Sequence, residues 1–396
     1  MNPRDSFRIA IRKFGPFESA IQERWESFCR DTGCTLRLEA SAFDLAELHE
    51  TLFAKKGLKQ GAWDVAFVVT DWLAEANSTN ALADLAPGLH ASSLGYPSAW
   101  PDSLLRHQRF GAAVLGLPYH DGPECLVYRT DLLAAIGAEP PRTWEEFHQL
   151  ARRLTDPAKH RWGTLFAAFP DGHNTVYDFC LQLWTRGGEL FDASGRMQLR
   201  TPAAAAALEF YRTMLADASA VHPHCRTYDS VQSGLAFARG EVAMMVNWFG
   251  FAALGETLPE SQVKGTVGVA PLPSALGCAS ASLNVYWLLS AAAGSPHPAE
   301  AAAFIRHCAS AEGDKRLTLG GGVGCRRSTW GDSDVGKIIP FYPVLEALHA
   351  GARELPRLVH WEKLAAVIDQ LVTGAANSAT PIPELLEQAQ MAADAL

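Results

Sequence analysis

Four side chains able to hold a metal or move a proton fall within six positions, His120, Asp121, Glu124 and Cys125 in the run HDGPEC. An imidazole, two carboxyls and a thiol are the donors of a zinc or acid–base site, but such a site holds its ligands on one helix face or in a tight C-x-x-C turn. Gly122 and Pro123 separate the acids, and no helical H-x-x-E frame can cross the proline. The run therefore reads as a turn that exposes Tyr119 and Asp121 to a ligand and turns Cys125 into the strand it begins. His222, His224 and Cys225 in VHPHCRTYD invite the same metal reading, and Pro223 splays the two imidazoles apart. GGGVGCRR (320–327) lacks both the G-K-[ST] ending of a phosphate loop and the G-x-G-x-x-G spacing. It reads as a turn that lets backbone approach a ligand, with Arg326 or Arg327 offering a guanidinium fork to a hydroxyl pair or a carboxylate. With no G-x-S-x-G, no H-E-x-x-H and no Cys-His signature, the chain carries no recognisable catalytic, metal or cofactor motif.

Rings beside short polar side chains recur at the ends of the apolar runs, as Asp71-Trp72, Tyr119-His120-Asp121, Asn247-Trp248 and Asn284 with Tyr286-Trp287. A flat aromatic face covers the apolar face of a sugar ring, while acids and amides bond its hydroxyls. Asp71, Trp72, Tyr119, His120, Asp121, Asn247, Trp248, Asn284, Tyr286 and Arg326 are thus the candidate ligand-binding residues. Plain core packing of these rings is the competing reading.

The elements that must position them alternate. Phe7, Ile9 and Ile11 mark a first strand; Phe17, Ile21, Trp25 and Phe28 share one helix face; CTLRLEA (34–40) is a second strand. A helix at 45–53 and the continuously apolar DVAFVVT (64–70) follow, and this order opens a doubly wound parallel sheet. Strands are also expected at 112–117, from Cys125 to Thr130, at 161–169, 241–248 and 266–273, and as one run over 282–290. Thr143 and Glu146 form a capping box, a helix containing 179–184 ends at Gly187-Gly188, and Gly240 stops a helix over 231–239.

At 396 residues the chain exceeds the size of a single core, so two domains are expected. A net charge of −9 supplies no basic face for nucleic acid, and no run of 18 apolar residues exists to span a membrane. The N-terminal MNPRDSFRIAIRKFGPF carries Arg4, Arg8, Arg12 and Lys13 without the apolar centre of a secretory signal. The eight cysteines show no C-x-x-C; most read as unpaired core residues, with a Cys29–Cys34 bridge left open.

The segments 63–85, 116–155, 234–250 and 266–310 and the C-terminal helices, above all GLPY…LVYRTDLL…PPRTWEEF, resemble the family 1 extracellular solute-binding proteins, carbohydrate receptors of ABC importers with the type 2 periplasmic-binding fold. The resemblance implies two α/β lobes, 1–118 plus 272–312 and 119–271 plus 313–396, joined by crossover hinge strands with the ligand cleft between them. It implies a monomeric, non-enzymatic receptor without a cofactor, periplasmic or at the cell surface, that passes a sugar-like solute to the membrane subunits of a permease. A cytosolic enzyme or sensor on the same fold is the alternative.

Overall fold

Phe17, Ile21, Trp25 and Phe28 form the buried stripe of helix α1 (Gly15–Thr32). Strand β1 (Ser6–Arg12) receives that stripe, with Phe7 stacked on Trp25 at a centroid distance of 4.5 Å. Phe304, from the later helix Pro298–Cys308, closes the cluster 5.2 Å from Trp25. Gly33 ends α1 in the left-handed conformation that glycine adopts without steric cost (φ 73°), its N–H donating to the Cys29 carbonyl. The computed structural model describes residues 5–90 and 94–396, so Arg4 of the basic N-terminal run lies outside the described residues.

The strands of the two main sheets are β1, β2 (Arg37–Phe43), β3 (Val65–Val69), β4 (Leu117–His120), β5 (Glu124–Arg129), β6 (Trp162–Leu165), β7 (Val242–Trp248), β8 (Val267–Ala270) and β9 (Trp287–Ala291). The first sheet runs β2-β1-β3-β9-β4, with β1 parallel to β2 and β3 and β9 antiparallel to both its neighbours. The 2-1-3 order is the doubly wound start expected from the sequence, and all five residues of β3 are buried as its continuous apolar run requires. The second sheet runs β8-β5-β7-β6, with β6 parallel to β7 and the other pairs antiparallel. Helix α2 (Trp144–Leu154) begins with the expected capping box. The Glu146 N–H donates to Thr143 Oγ1, and the Thr143 N–H donates to the Glu146 carboxylate.

The chain divides into two compact units, Met1–Gly122 with Val285–Pro343 and Leu355–Val359, and Pro123–Asn284 with Val344–Glu354 and His360–Leu396. These boundaries differ from the lobes drawn from sequence. Residues 119–122 stay with unit 1 because β4 pairs with β9 and the Asp121 N–H donates to the Val323 carbonyl. Residues 272–284 stay with unit 2, where the Ser274 and Ala275 N–H groups donate to the Arg142 and Thr185 carbonyls. Residues 313–343 belong to unit 1, where the Arg326 guanidinium donates to the Leu94 carbonyl and the Arg327 N–H to the Ala99 carbonyl.

Three strands expected from sequence are also redrawn. The run 282–290 is two strands, Ser282–Leu283 pairing with Ala352–Arg353 and β9 pairing with β3, because the chain leaves unit 2 between Asn284 and Val285. The strand expected at 112–117 is Ala113–Val114 followed by β4, and that at 161–169 stops at Leu165. All eight cysteines are free, so the Cys29–Cys34 bridge is not formed.

Candidate functional site

The HDGPEC run is divided between the units, since His120 and Asp121 lie in unit 1 and Glu124 and Cys125 in unit 2. His120 Nδ1 accepts from the Val323 N–H at 3.0 Å, which leaves the ring proton on Nε2. Burial pushes this imidazole down to about 4 against the opposing charge of Asp121, so it is a neutral hydrogen-bond donor at physiological pH. Cys125 Sγ faces the Asn247 carbonyl inside the sheet, as its strand position predicts. His222 and His224 are ring-packed as well. His222 meets Trp162 edge-on at 4.6 Å, and His224 stacks on Tyr228 at 5.2 Å.

Several expected ligand contacts are committed elsewhere. Tyr119 is 3% exposed and packs against Phe67 and Phe17 in the unit 1 core. The Tyr286 hydroxyl donates to Gln108 Oε1 at 2.8 Å under a ring that is 1% exposed. Asn247 gives Nδ2 to the Ser230 carbonyl and receives the Trp248 N–H on Oδ1, so its amide holds the end of β7. Arg326 donates to the Ala309 and Leu94 carbonyls at 2.8 and 2.9 Å, its guanidinium 4.4 Å from the Trp100 ring centroid. These four side chains are bonded or packed within their own units.

Trp72 is also packed in, edge-on to His49 at 5.0 Å and to Trp287 at 5.9 Å. Half-buried Trp287 and Asp71 are the accessible members of that group in unit 1. Buried Asp121 lies one residue before Gly122, the last of the first unit 1 run, and buried Asn284 is the last of a unit 2 run, so both sit where the chain crosses.

Unit 2 supplies a group the sequence reading left apart. Strands β6 and β7 run parallel and end at Leu165 and Trp248, and antiparallel β5 starts beside them with Glu124 opposite Trp248. Residues directly opposite in a ladder project to the same face, so Glu124 and Trp248 share one. Helix α3 (Asn174–Trp184) enters at this edge, with Tyr177 edge-on to half-buried Trp248 at 5.6 Å and His173 edge-on to Tyr177 at 5.6 Å. The Asp171 carboxylate accepts from the backbone N–H groups of His173 and Asn174 at 2.9 and 2.8 Å and from the Asn174 side chain, which starts α3 five residues before the stretch visible as helix in the sequence.

Behind the rings lie buried acids. Burial, reinforced by the charge of Asp178, drives the Glu124 carboxyl well above the carboxylate range. Burial likewise pushes Asp178 up to about 8, against a 3.5 Å hydrogen bond from the Tyr211 hydroxyl. Thr175 donates to Asp369, whose carboxyl burial also raises. A PDGHN-type polar start to a helix after a strand is the signal that would have found this group. Two other hollows on unit 2, about 670 and 420 Å³, are lined by none of these residues.

Ring faces, amides and acids gathered at the carboxyl ends of parallel strands are where α/β sheets bind small molecules. Residues 13–315 match the family described as bacterial extracellular solute-binding protein. The chain belongs to that family. This solute-binding protein is 27% identical over 355 residues to a probable ABC transporter-binding protein of Deinococcus radiodurans, covering 87% of this chain and 81% of that one. In fold it is similar to a maltose-bound protein of T. maritima (TM-score 0.89, 23% identity, 98% of this chain and 99% of that one). It is also similar to an ABC transporter solute-binding protein from Agrobacterium radiobacter K84 in complex with ribitol (TM-score 0.87, 24% identity, 98% of each chain). The family acts by binding small molecules for ABC transport, and among the described residues of this member no helix is long and apolar enough to cross a membrane.

Proposed function

We propose that the solute is a sugar or polyol, bound outside the cytoplasm by a monomer and handed to the membrane subunits of an ABC permease. The observation that carries this reading is the half-buried Trp248 ring, set against Tyr177 at an edge supplied with carboxyls and amides. An indole face removes the apolar side of a pyranose or polyol chain from water, while Asp171, Asn174 and Glu124 take hydroxyl hydrogens or donate to hydroxyl oxygens. In unit 1, Asp71, Trp287 and the Nε2–H of His120 have the same chemistry. Similarity to proteins with maltose and ribitol bound supports the reading.

Thermal unfolding across a panel of sugars, polyols, sugar acids and amino acids tests it. A true solute at 100 times its Kd adds about 2.7 kcal/mol of apparent stability, a rise of roughly 5–10 °C for units of this size. No response to any sugar or polyol, alongside a response to an amino acid, overturns the proposal.

A further inference from the structure

Glu124 is 3% exposed, and its Oε2 has no hydrogen-bond partner among the described residues. Strand pairing aims its side chain to the Trp248 face, the face that α3 covers with Tyr177 and Asp178. Asp178 is 8% exposed and within electrostatic reach of both Glu124 and Asp171, and Asp171 is within reach of Asp369. Four carboxyls are thus chained along one end of unit 2, and among the described residues none of them meets a lysine or arginine. Two guanidiniums of the same unit are engaged elsewhere. Arg353 pairs with Glu189 and lies over Trp184, and Arg226 bonds Asn377 and the Ala376 carbonyl. His173 is a basic group within electrostatic reach of Asp369.

Glu124 and Asp178 are the buried pair of the four; a buried carboxyl without a countercharge costs several kcal/mol to ionise, and such perturbed groups cluster at functional sites. A metal ion does not suit this set. No three of these side chains bring carboxyl oxygens within 4.8 Å of one another, whereas one cation needs its oxygens converging at about 2.0–2.6 Å. Acceptors spread along a wall suit instead an ammonium group, whose three hydrogens point different ways, and the neighbouring Trp248 face adds cation–π attraction.

We propose that this acidic end of unit 2 is a subsite for a protonated amine, so that the solute is an aminated sugar or polyol. The inference rests on the sugar or polyol reading and narrows it.

Calorimetric titration at pH 7 with matched pairs, D-glucosamine against D-glucose and 1-amino-1-deoxy-D-sorbitol against D-sorbitol, tests both. The expected result is an aminated member binding about tenfold or more tighter than its hydroxyl counterpart, with Glu124→Gln and Asp178→Asn each bringing the pair to within about threefold. Both variants replace a buried acid by its neutral isostere, and their unfolding midpoints, at or above the parent's, show that they fold. If neutral members bind and aminated ones do not, the inference falls and the sugar reading stands. If simple amines without a hydroxylated frame, such as ethanolamine, bind as well as the aminated sugars, the acidic subsite stands and the sugar reading falls. If no member of either pair binds, both are overturned.

Discussion

Replacing Arg326 by alanine separates a ligand contact from a structural one. Its guanidinium donates to two buried carbonyls at 2.8 and 2.9 Å, lies 4.4 Å from the Trp100 ring centroid, and is 6% exposed. Burial lowers its basicity, and the charge of Asp314, itself 3% exposed, works against that fall. Each charge-assisted bond contributes about 1.5–3 kcal/mol. Taking about 4 kcal/mol as the net effect, the unit 1 transition should fall by roughly 8–16 °C. Arg326→Lys keeps the charge but cannot span both carbonyls, and should lose about half as much. The assay is differential scanning calorimetry of each variant, with and without the solute identified by the panel. A fall of less than about 2 °C together with a tenfold or greater loss of affinity would refute the reasoning, because the fork would then be bonding ligand.

Other outcomes follow from the same geometry. Trp248→Ala removes the half-buried ring at the unit 2 edge and should weaken solute binding by about 1–3 kcal/mol, roughly 5- to 150-fold by calorimetry, with a small change in the ligand-free midpoint. Asp178, held at about 8, is an acid whose folded value lies above its unfolded 3.8, so the native state binds the extra proton. Stability is then full below about pH 4 and declines as pH rises towards 8, by up to about 1.4 kcal/mol per unit for one proton. Asp178→Asn should flatten that slope in urea titrations, and an unchanged slope would count against the assignment. Gly324→Ala sets a Cβ 2.4 Å from Asp314 Oδ2 and 2.6 Å from Thr318 Oγ1, and should cost about 1–3 kcal/mol in urea unfolding.

What the sequence determined by itself is what depends on neighbours a few residues away. The periodicity of Phe17, Ile21, Trp25 and Phe28 specifies α1, Thr143 and Glu146 specify the start of α2, and the unbroken apolar run Val65–Val69 specifies a central strand. Length carried the two domains, local order of elements the α/β class, and the block from Gly116 to Thr155 the family. The candidate site was only half legible, because a ring or an arginine beside a strand end looks the same whether it meets ligand or core. The packing of Arg326, Asn247, Tyr119 and Tyr286 was hidden until their partners, 178 residues away in the case of Gln108 and Tyr286, were in view. Only the tertiary structure decided that HDGPEC is cut at Gly122, where φ is 141° and a side chain would be strained, and that Glu124 shares a face with Trp248. It alone gathered Asp171, Asp178 and Asp369 behind them. Helix and strand formation are short-range, whereas the burial of a carboxyl and the absence of its counter-ion are properties of a packed interior.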